Sequence, residues 1–367
     1  MDDGTGPRRW PIRLKEDRPH DEVEKGKGMS AGTESDEGKD ISKEMDLASL
    51  PGVGPVTKQK LIDAGIKTVL DLASRGVGEV SDALGGDLAK ATELINKSRE
   101  KLVELGLLPK DFITARQLLS MREKIARITT GSKNLDKLLG GGVETGAVTE
   151  FYGEFGTGKT QICNTLAVTV QMPPESGGLS SGAIYIDTEG TFRPERISEI
   201  ADHRGMDPTR VLENILVARA YNSAHQELIV REIGDYLRDG KYRLVILDSA
   251  VAHYRAEYAG RSTLAERQQR LNLLMHQLLR MAESYNVAVV ITNQVMATPD
   301  MFFGDPTRPA GGHVVAHTVT YRVYLRKAGK NRIARIMDSP YHPEAEAVFT
   351  IDEKGVDDPE EQSGRKK

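Results

Sequence analysis

The segment 153–160 constrains the fold of this chain more than any other part of its sequence. It reads GEFGTGKT, a complete G-x-x-x-x-G-K-T pattern. The apolar, strand-like run GAVTEFY precedes it, and the helix-like run QICNTLAVTVQM follows the lysine and threonine. Both flanks that a phosphate-binding loop requires are therefore present, which a chance glycine-rich turn would not provide. The sequence predicts a nucleoside triphosphate site between a buried strand and a helix.

Each type of residue in this loop has a chemical role. The glycines let backbone N–H groups curl around phosphate oxygens at the amino end of a helix. Lys159 adds a positive charge beside the β and γ phosphates, and Thr160 offers an oxygen to Mg²⁺. We therefore expect a nucleoside triphosphate and Mg²⁺ as cofactors. The nucleotide-binding residues predicted here are Gly153, Glu154, Phe155, Gly156, Thr157, Gly158, Lys159, Thr160 and Gln161.

Polar residues also end three other apolar runs. Asp248 closes LVILD, and the carboxyl ends of strands are where open α/β sheets bind ligands, so we expect it to hold Mg²⁺ rather than cap a turn. In YIDTEG we expect Glu189 to be the general base and Asp187 to be structural. Gln294 closes VAVVITNQ, where it either contacts the γ-phosphate or binds ordinary backbone partners. The residues alone leave that last choice open.

Composition limits the class of protein. The chain has 367 residues, of which 38% are apolar, and this suits a large domain with a small one. Its net charge of -4 argues against a protein that coats DNA by charge alone, although a local basic strip remains compatible with it. The single cysteine, Cys163, excludes an internal disulfide framework. Without a secretory signal or an apolar run of membrane-spanning length, we expect a soluble cytoplasmic protein.

Local patterns divide the chain into five segments. Residues 1–44 are rich in Gly, Pro, Ser and charge and are expected to be disordered, and Met29 looks like a natural start, which would make 1–28 an over-extended gene start. Helical periodicity predicts a small all-helical domain over 45–106. A linker over 107–128 and an α/β core over 129–355, with a mostly parallel sheet, follow. Residues 356–367 are predicted to be a disordered tail.

Seven apolar runs are the predicted strands of this core. Helical stretches separate the first four, which indicates parallel strands, and the last three look like an antiparallel extension. The predicted strands are Ala147–Tyr152, Ala183–Asp187, Arg243–Asp248, Val287–Asn293, Val319–Arg326, Ile333–Asp338 and Ala347–Ile351.

Several long phrases resemble one family, the RecA/RadA strand-exchange recombinases, and within it the archaeal RadA branch. They are LPGVGPVTKQKL, FYGEFGTGKTQIC, YIDTEGTFRPERI, LVILDSAVAHYRAEYAGR, VITNQV and GGHVVAHTVTYRVYLRKAGKNRIARIMDSPYHPEAEAVF. They cover about residues 45 to 355 in order. The resemblance implies a RecA-type P-loop ATPase core preceded by a helix-hairpin-helix domain. It also implies an ATP-dependent recombinase that forms helical filaments on single-stranded DNA and exchanges it into homologous duplex.

In the helical domain, the phrase LPGVG resembles the hairpin of a helix-hairpin-helix. Gly52 and Gly54 would expose backbone N–H groups to a DNA phosphate, and Lys58 and Lys60 would add charge. Such contacts do not depend on DNA sequence. The alternative is an ordinary turn between two helices.

The linker phrase FITA resembles the family's polymerisation motif. In that motif an extended segment adds to the edge of a neighbouring protomer's sheet, with Phe112 filling one pocket and Ala115 a smaller one. From the sequence alone, a linker phenylalanine that packs on its own domain would be the simpler interpretation. The resemblance favours polymerisation.

Two loops resemble the family's DNA-binding loops. The first carries Arg255, Tyr258 and Arg261, and the second runs from Met296 to about Gly312. Arginines can neutralise phosphates, glycine amides can approach them closely, and aromatic rings can stack on bases. Because Gln294 immediately precedes the second loop, we expect it to couple ATP binding to DNA binding. The second loop contributes Arg308, Gly311 and Gly312, with Phe302 and Phe303 as a weaker aromatic prediction.

The resemblance also assigns residues around the nucleotide. Arg196 is expected to stack on adenine, and His317 to sense the γ-phosphate across a protomer interface, although a lone histidine is more often structural. Asp338 and Pro343 are expected to form a cap over a neighbouring subunit's nucleotide. A basic hairpin near the carboxy terminus is either a solvated face or a secondary duplex-binding surface. Its residues are Arg326, Lys327, Lys330, Arg332 and Arg335.

These features bear on three candidate functions. The first is a DNA-dependent ATPase and recombinase, with single- and double-stranded DNA and recombination mediators as partners and a nucleoid-associated location. The second is an accessory paralogue that binds ATP and DNA and regulates a separate recombinase. The third, a small-molecule kinase, lacks any sign of an acceptor pocket or lid. The helical domain, the FITA segment and both loops together favour the recombinase.

Overall fold

A computed structural model of the chain describes residues 43–108, 112–260, 262–297 and 307–360. Nearly all of the predicted amino-terminal tail and residues 361–367 lie outside these ranges, so disorder there stays a prediction. Within the described ranges, no helix combines the length and the apolar character that a membrane span requires.

A small helical domain begins at Glu44, one residue before the predicted boundary. The backbone carbonyl of Glu44 accepts a hydrogen bond from Ser49 Oγ at 2.9 Å, and its carboxylate pairs with Lys101, so it already belongs to the domain. Leu61 and Leu72 are fully buried in the apolar core. After a 3-10 helix over Leu47–Ser49, the helices are α1 (Pro55–Asp63), α2 (Val69–Ser74), α3 (Val77–Ala83) and α4 (Leu88–Glu104).

The larger domain contains a two-stranded sheet, β1 (Arg127–Ile128) with β2 (Val143–Glu144), and one large sheet. The strands of the large sheet are β3 (Ala147–Gly153), β4 (Gly182–Asp187), β5 (Ile215–Arg219), β6 (Tyr242–Asp248), β7 (Ala288–Ala297), β8 (Thr307–Pro309), β9 (Tyr321–Ala328), β10 (Asn331–Asp338), β11 (Glu346–Asp352) and β12 (Gly355–Asp357). Their order is β12-β11-β10-β9-β3-β7-β6-β4-β5, with β8 paired to β7 outside this path. In this order, each pair of neighbours from β9 to β5 is parallel. The pairs β9–β10, β10–β11 and β11–β12 are antiparallel.

Helices cover both faces of this sheet. One apolar cluster includes Ile162 and Leu166 of the helix that follows the phosphate loop, and a second includes Leu274 and Leu278 of the longest helix. Double coverage explains why β3, β4 and β6 read as continuous apolar runs. The helices are α5 (Ala115–Arg122), α6 (Lys133–Leu138), α7 (Lys159–Thr169), α8 (Pro194–His203), α9 (Pro208–Glu213), α10 (Ser223–Glu232), α11 (Gly234–Leu237), α12 (Ala252–Glu257), α13 (Leu264–Tyr285) and α14 (Gly312–Thr318).

The register of the parallel strands brings four chemically important strand ends to one edge. Gly153 at the end of β3 lies opposite Gln294 on β7. Asp187 at the end of β4 lies opposite Asp248 at the end of β6. Ligands of open α/β sheets bind at this carboxyl edge, so the fold itself assembles the predicted site residues.

The predicted α/β class and all seven predicted strands are confirmed, and the structure extends beyond two further predicted boundaries. The linker was expected to reach 128, yet β1 pairs with β2 and Ile128 is fully buried in the core. The core was expected to end at 355, yet β12 pairs with β11, and the Asp358 carboxylate accepts hydrogen bonds from Ser132 Oγ and Asn134 N at the start of α6. Strand β5, at the outer edge of the sheet, was not predicted.

The helical domain is fastened to the larger domain through the Asp71 carboxylate, whose residue is 7% exposed. Asp71 closes a capping box with Thr68 at the start of α2. Its carboxylate also accepts hydrogen bonds from Tyr285 Oη at 2.7 Å and from Arg238 NH2 at 2.9 Å, both in the larger domain. Burial and this carboxylate raise the pKa of Tyr285 above its usual range, so the phenol stays a donor. One side chain thus serves a helix start and a domain contact.

We predict that Asp71→Ala lowers the free energy of unfolding by about 2–4 kcal/mol, because a helix cap and two partly buried hydrogen bonds to a carboxylate are lost together. Urea unfolding followed by circular dichroism measures this change. The control is Asp82→Ala, which removes an exposed carboxylate of α3 and should change stability by less than about 0.5 kcal/mol. Equal unfolding curves for the two variants would show that Asp71 does not fasten the domains.

Candidate nucleotide-binding and DNA-binding sites

The loop between β3 and α7 has the backbone shape of a phosphate cradle. Gly156 and Gly158 have φ values of +74° and +105°, a region that side chains disfavour. The hydroxyl of Thr157 donates a hydrogen bond to the carbonyl oxygen of Glu154 at 2.8 Å and so braces the loop. The loop, the start of α7 and the ends of β6 and β7 border a cavity of about 940 Å³. This arrangement matches an anion site at a helix start.

Lys159 is held at the floor of this cavity. Its Nζ donates hydrogen bonds to the carbonyl oxygens of Gly153 at 2.9 Å and Glu154 at 2.8 Å. Burial lowers the pKa of Lys159 below its ordinary value, while the nearby carboxylates of Asp248 and Glu189 act in the opposite direction. The ammonium group of Lys159 therefore lies beside the phosphate loop in the cavity, where a bound phosphate would add negative charge to that of the two carboxylates.

Asp248 and Thr160 offer the oxygen ligands that Mg²⁺ prefers. Both line the cavity, and Asp248 is 4% exposed. The Asp248 carboxylate is fixed by the Tyr185 hydroxyl at 2.9 Å and by a hydrogen bond from Thr292. One carboxylate and one hydroxyl suit Mg²⁺, which usually takes its other ligands from phosphates and water. The residues present therefore fit a Mg²⁺–nucleotide complex.

Gln294 connects the nucleotide cavity to the first loop that resembles a DNA-binding loop. Its Nε2 donates to Glu189 Oε1 at 2.9 Å, and its Oε1 accepts from Arg255 NH1 at 2.9 Å. Glu189, Gln294 and Asp248 line the same cavity, and Arg255 belongs to α12 beyond it. The structure thus brings together the predicted base, the glutamine predicted to couple ATP to DNA binding, and one predicted DNA contact.

Asp187 has a structural position, as the sequence suggested. Its Oδ1 accepts hydrogen bonds from the backbone N–H groups of Glu189, Gly190 and Thr191, at 2.8–3.2 Å. Arg219 NH1 lies 3.3 Å from the same oxygen. These contacts make Asp187 the support of the turn that carries Glu189, and Asp187 is not among the described residues that line the nucleotide cavity.

Arg196 lines the cavity but is tied to protein groups. Its Nε donates to Gln161 Oε1 at 2.9 Å, its NH1 pairs with Glu199 at 2.5 Å, and its NH2 donates to the Asp352 carbonyl. Stacking of this guanidinium on adenine stays a prediction. The neighbouring lining residues Ile351, Asp352 and Glu353 were missed, because no sequence pattern relates the β11–β12 turn to the phosphate loop.

The cations of the basic hairpin formed by β9 and β10 have two kinds of surroundings: some pair with glutamates, and others lie beside the nucleotide cavity. Arg326 pairs with Glu346 at 3.3 Å and Arg335 with Glu344 at 2.8 Å, so these cations are neutralised. Lys327 lies against the phosphate loop, since a Cβ placed on Gly156 would be 2.7 Å from Lys327 Nζ. Its cross-strand neighbour Arg332 lines the nucleotide cavity.

Lys327 and Arg332 form no ion pair within the described part of the chain, unlike the two cations of the hairpin that pair with glutamates. Two neighbouring cations without a carboxylate repel each other unless an anion joins them. The sequence suggested a solvated face or a duplex-binding surface for this hairpin. Its geometry adds a contact with the nucleotide site.

Three residues assigned by resemblance do not line the nucleotide cavity of their own chain. His317 borders a separate depression with residues of α13 such as Gln268 and Asn272. Pro343 borders another, beside Lys137, and Asp338 ends β10. These positions agree with contacts to a neighbouring subunit, which stays a prediction.

The first loop that resembles a DNA-binding loop is more tightly packed than the sequence suggested. The ring of Tyr258 lies 6.4 Å from that of Tyr254, and the Arg270 guanidinium is 5.6 Å from its centre. Tyr258 is therefore engaged inside the protein, and stacking on bases would require these contacts to change. The predicted contact Arg261 lies outside the described residues.

The structure defines the backbone at both ends of the second loop that resembles a DNA-binding loop. Arg308 lies on β8, opposite Met296 of β7, and its side chain is outside the description. Gly311 and Gly312 have φ values of +88° and +60° at the start of α14, which a residue with a Cβ would strain. The aromatic pair of this loop, Phe302 and Phe303, lies outside the described residues.

The hairpin of the helical domain has the predicted shape. Gly52 has a φ of +98°, and Gly54 is the N-cap of α1. Lys58, however, pairs with Asp46 at 2.7 Å, so part of its charge is neutralised, whereas Lys60 is exposed. Lys97 was missed: its Nζ donates to the Pro51 carbonyl at 3.2 Å and so lies at the hairpin, although it comes from α4.

In the linker, Phe112 is 95% exposed, so it does not pack on the part of its own chain that the structure describes. Ala115 is the first residue of α5, whose start is fixed by a capping box between Thr114 and Gln117. None of the α5 side chains is buried. This is compatible with a segment that binds another protein surface, and the role in polymerisation stays a prediction.

A phosphate loop with its lysine, threonine and aspartate on a mostly parallel sheet, joined to a helix-hairpin-helix domain, defines a P-loop ATPase with a RecA-type core. The family model described as Rad51 matches residues 121–359, and the model described as a SAM-like helix-hairpin-helix tandem matches residues 44–105. The DNA repair and recombination protein RadA of Cenarchaeum symbiosum (strain A) is 52% identical over 317 residues, which are 86% of this chain and 80% of that protein.

The protein of the same name from Aeropyrum pernix is 50% identical over 324 residues, which are 88% of this chain and 100% of that protein. The chain therefore belongs to the RecA/RadA recombinase family, in its archaeal RadA branch. Family membership confirms the resemblance of the sequence, including the helix-hairpin-helix domain.

We predict that Arg332→Gln weakens the binding of an ATP analogue about 3–10-fold in the absence of DNA, because a cation that faces a polyphosphate in a partly exposed cavity contributes about 1 kcal/mol. Titration with a fluorescent analogue measures the affinity. Arg335→Gln is the matched control, since it removes a cation of the same hairpin that pairs with Glu344. Equal affinities of both variants and the wild type would exclude Arg332 from the nucleotide site.

Proposed function

We propose that this chain is a DNA-dependent ATPase and homologous-recombination recombinase. It forms helical filaments on single-stranded DNA and exchanges that strand into homologous duplex, with ATP and Mg²⁺ as cofactors. The observation that supports this most strongly is the hydrogen-bonded connection from Glu189 through Gln294 to Arg255. It joins the nucleotide cavity to a DNA-binding loop, a link that independent binding of ATP and DNA would not require.

Hydrolysis of ATP is divided among a few side chains. Lys159 and the backbone amides of the loop bind the β and γ phosphates, and Glu189 orients the attacking water and accepts its proton. Thr160 and Asp248 would hold Mg²⁺, which when bound neutralises phosphate charge. Because the attack on phosphorus needs mainly positioning and charge stabilisation, the rigid ends of the parallel strands are suitable supports.

The coupling of ATP to DNA follows from the two hydrogen bonds of Gln294. If its side chain turns toward a γ-phosphate, it releases at least one of Glu189 and Arg255. A released Arg255 is free to bind a DNA phosphate, and a released Glu189 is free to orient water. Binding of either ligand then favours binding of the other by the same factor, since such couplings are reciprocal.

Assembly completes the site in this proposal. Phe112, exposed in its own chain, fills a pocket of a neighbour, and the segment around it adds to the outer strand β5 of that neighbour's sheet. His317, Asp338 and Pro343, which do not line the cavity of their own chain, then contact a neighbour's nucleotide. ATP hydrolysis consequently depends on assembly.

The proposed substrates define the location and partners. Single-stranded and double-stranded DNA are the direct partners, and recombination mediator proteins are further partners of this proposal. A protein that acts on chromosomal DNA in this way works in the cytoplasm, in contact with the nucleoid.

A strand-exchange assay with circular single-stranded and homologous linear duplex DNA tests the function. We expect ATP-dependent joint molecules, and none with a heterologous duplex of equal length. Binding of ATP and DNA without joint molecules, under conditions in which the purified chain forms filaments, would contradict the recombinase and identify an accessory protein instead.

We predict that Phe112→Glu gives monomers that still bind ATP, because a carboxylate cannot enter an apolar pocket without a large desolvation cost. Sedimentation velocity in the presence of ATP and absence of DNA measures the assembly. The control is Leu88→Glu, which changes another exposed apolar residue (60% exposed) at the start of α4 and should leave assembly intact. Filaments or large rings of Phe112→Glu would refute the polymerisation role.

We predict that Glu189→Gln reduces DNA-stimulated ATP turnover by about 10²–10⁴-fold, because an amide cannot accept the proton of the attacking water. Its affinity for ATP should stay within about threefold, since the amide oxygen still accepts from Gln294. Steady-state phosphate release and nucleotide titration give the two numbers. Glu353→Gln, at another carboxylate that lines the cavity, is the control. Turnover near the wild-type rate in Glu189→Gln would assign the base elsewhere.

A further inference from the structure

Strand β7 carries two neighbouring amide side chains at the point where its parallel pairing with β3 ends, and the two side chains have different surroundings. Gln294 contacts Glu189 and Arg255 at the nucleotide cavity. Asn293 is fully buried and contacts Glu150 and Ala310 instead. Successive residues of a strand point to opposite faces, so this difference follows from the strand geometry.

Both protons of the Asn293 amide are used. Nδ2 donates to the backbone carbonyl oxygen of Ala310 at 2.6 Å and to Glu150 Oε1 at 2.7 Å. Ala310 follows β8 and is itself 1% exposed. Its N–H donates to the carbonyl oxygen of Gln294 at 2.8 Å. The two backbone polar groups of Ala310 are therefore held by two consecutive residues of β7.

Glu150 fixes the orientation of Asn293 from within the sheet. It lies on β3, three residues before the phosphate loop, and its side chain is fully buried between β7 and β9. Its second oxygen accepts from Arg322 Nε at 2.6 Å. Burial raises the pKa of Glu150, while Arg322 and the Asn293 hydrogen bond act against this rise. The carboxylate thus has one oxygen for the ion pair and one for Asn293.

This arrangement connects the strand of the phosphate loop to the end of the second DNA-binding loop. Arg322 and Glu150 span β9 and β3, Asn293 continues the contact on β7, and Ala310 leads through Gly311 into α14. A buried ion pair of this kind contributes little net stability compared with well-packed apolar side chains. The ion pair instead orients the Asn293 amide, so that its Nδ2 points at the carbonyl oxygen of Ala310.

We propose that Asn293 is a positioning residue, which holds Ala310 and the stem of the second DNA-binding loop in the register at which Gln294 couples ATP to DNA. The inference rests on the proposed function and adds a residue to its coupling mechanism. Within the described part of the chain, Asn293 does not line the nucleotide cavity, and its amide donates to Glu150 and Ala310, so it acts through Ala310 and not on either ligand.

Loss of the Asn293 amide should weaken the coupling between ATP and DNA binding without weakening nucleotide binding itself. Replacement of Asn293 by alanine frees the Ala310 carbonyl, but it leaves the hydrogen bonds of Gln294 to Glu189 and Arg255 in place. Nucleotide binding without DNA should therefore persist. A residue that merely stabilised the fold would instead weaken all activities together with thermal stability.

The experiment measures the affinity for a labelled single-stranded oligonucleotide with and without a Mg²⁺-bound, non-hydrolysable ATP analogue, in the full-length chain. The ratio of the two affinities is the coupling factor. The variants are Asn293→Ala and the milder Asn293→Ser, which keeps one donor. Val230→Ala is the control for stability, because it removes buried apolar contacts of α10 and touches neither ligand site.

We expect Asn293→Ala to lower the coupling factor about fivefold or more, as loss of an aimed buried hydrogen bond allows. Asn293→Ser should fall between it and the wild type, and affinity for the analogue without DNA should change less than about twofold in all variants. Val230→Ala should lower the melting temperature and keep the coupling factor.

A coupling factor in Asn293→Ala within twofold of the wild type, or an equal loss in Val230→Ala, would overturn the proposal. If Asn293→Ala does not fold, the coupling factor of Asn293→Ser, compared with that of the wild type, tests the proposal in its place. A wild-type protein with no coupling at all would refute the proposed function itself, and the inference with it, so the two failures are distinguishable.

Discussion

Parallel pairing of β3 with β7, and of β4 with β6, sets Gly153 opposite Gln294 and Asp187 opposite Asp248. These strands are buried on both faces, so their backbone hydrogen bonds fix the strand ends within a rigid sheet. The phosphate loop depends on this register, and so do the residues proposed as the Mg²⁺ ligand, the base and the coupling glutamine. A slip of one residue would turn each of these side chains to the opposite face.

The sequence predicts what depends on local pattern. The phosphate loop has fixed spacing, and the central strands are continuous apolar runs, so both were identified with nearly correct limits. Strand β5 was missed because it is a short edge strand whose Val217 is 47% exposed, which weakens the apolar signal. The part of the core beyond 355 was missed because β12 has three residues and is stabilised by pairing with β11 and by distant contacts of Asp358.

Contacts between distant segments were beyond the reach of the sequence. Lys58 looked like a free DNA contact, yet Asp46 neutralises it across the hairpin. Arg332 looked like one of several surface cations, yet the order of β9, β10 and β11 beside β3 brings it to the nucleotide cavity. The first pairing depends on how the helices of the small domain pack and the second on strand order and register. A single sequence encodes neither of these in any short window.

Charge illustrates the difference between average and local properties. The net charge of -4 argued against a protein that coats DNA. In the structure, several acidic residues neutralise cations in place: Glu346 pairs with Arg326 and Glu344 with Arg335. Arg255, by contrast, is bound to a neutral amide and can be released to a phosphate. In the proposed function, DNA binding therefore depends on which cations remain unpaired in a given ligand state, and the net charge does not report this.

In the proposed function, ATP and DNA binding are one coupled process that passes through Gln294. Calorimetric titration of the ATP analogue, with and without saturating single-stranded DNA, tests it most directly in the wild type and in Gln294→Ala. The account predicts that DNA tightens nucleotide binding in the wild type by the same factor by which the nucleotide tightens DNA binding. In Gln294→Ala both factors should fall to near one. Unchanged coupling in that variant would contradict the account.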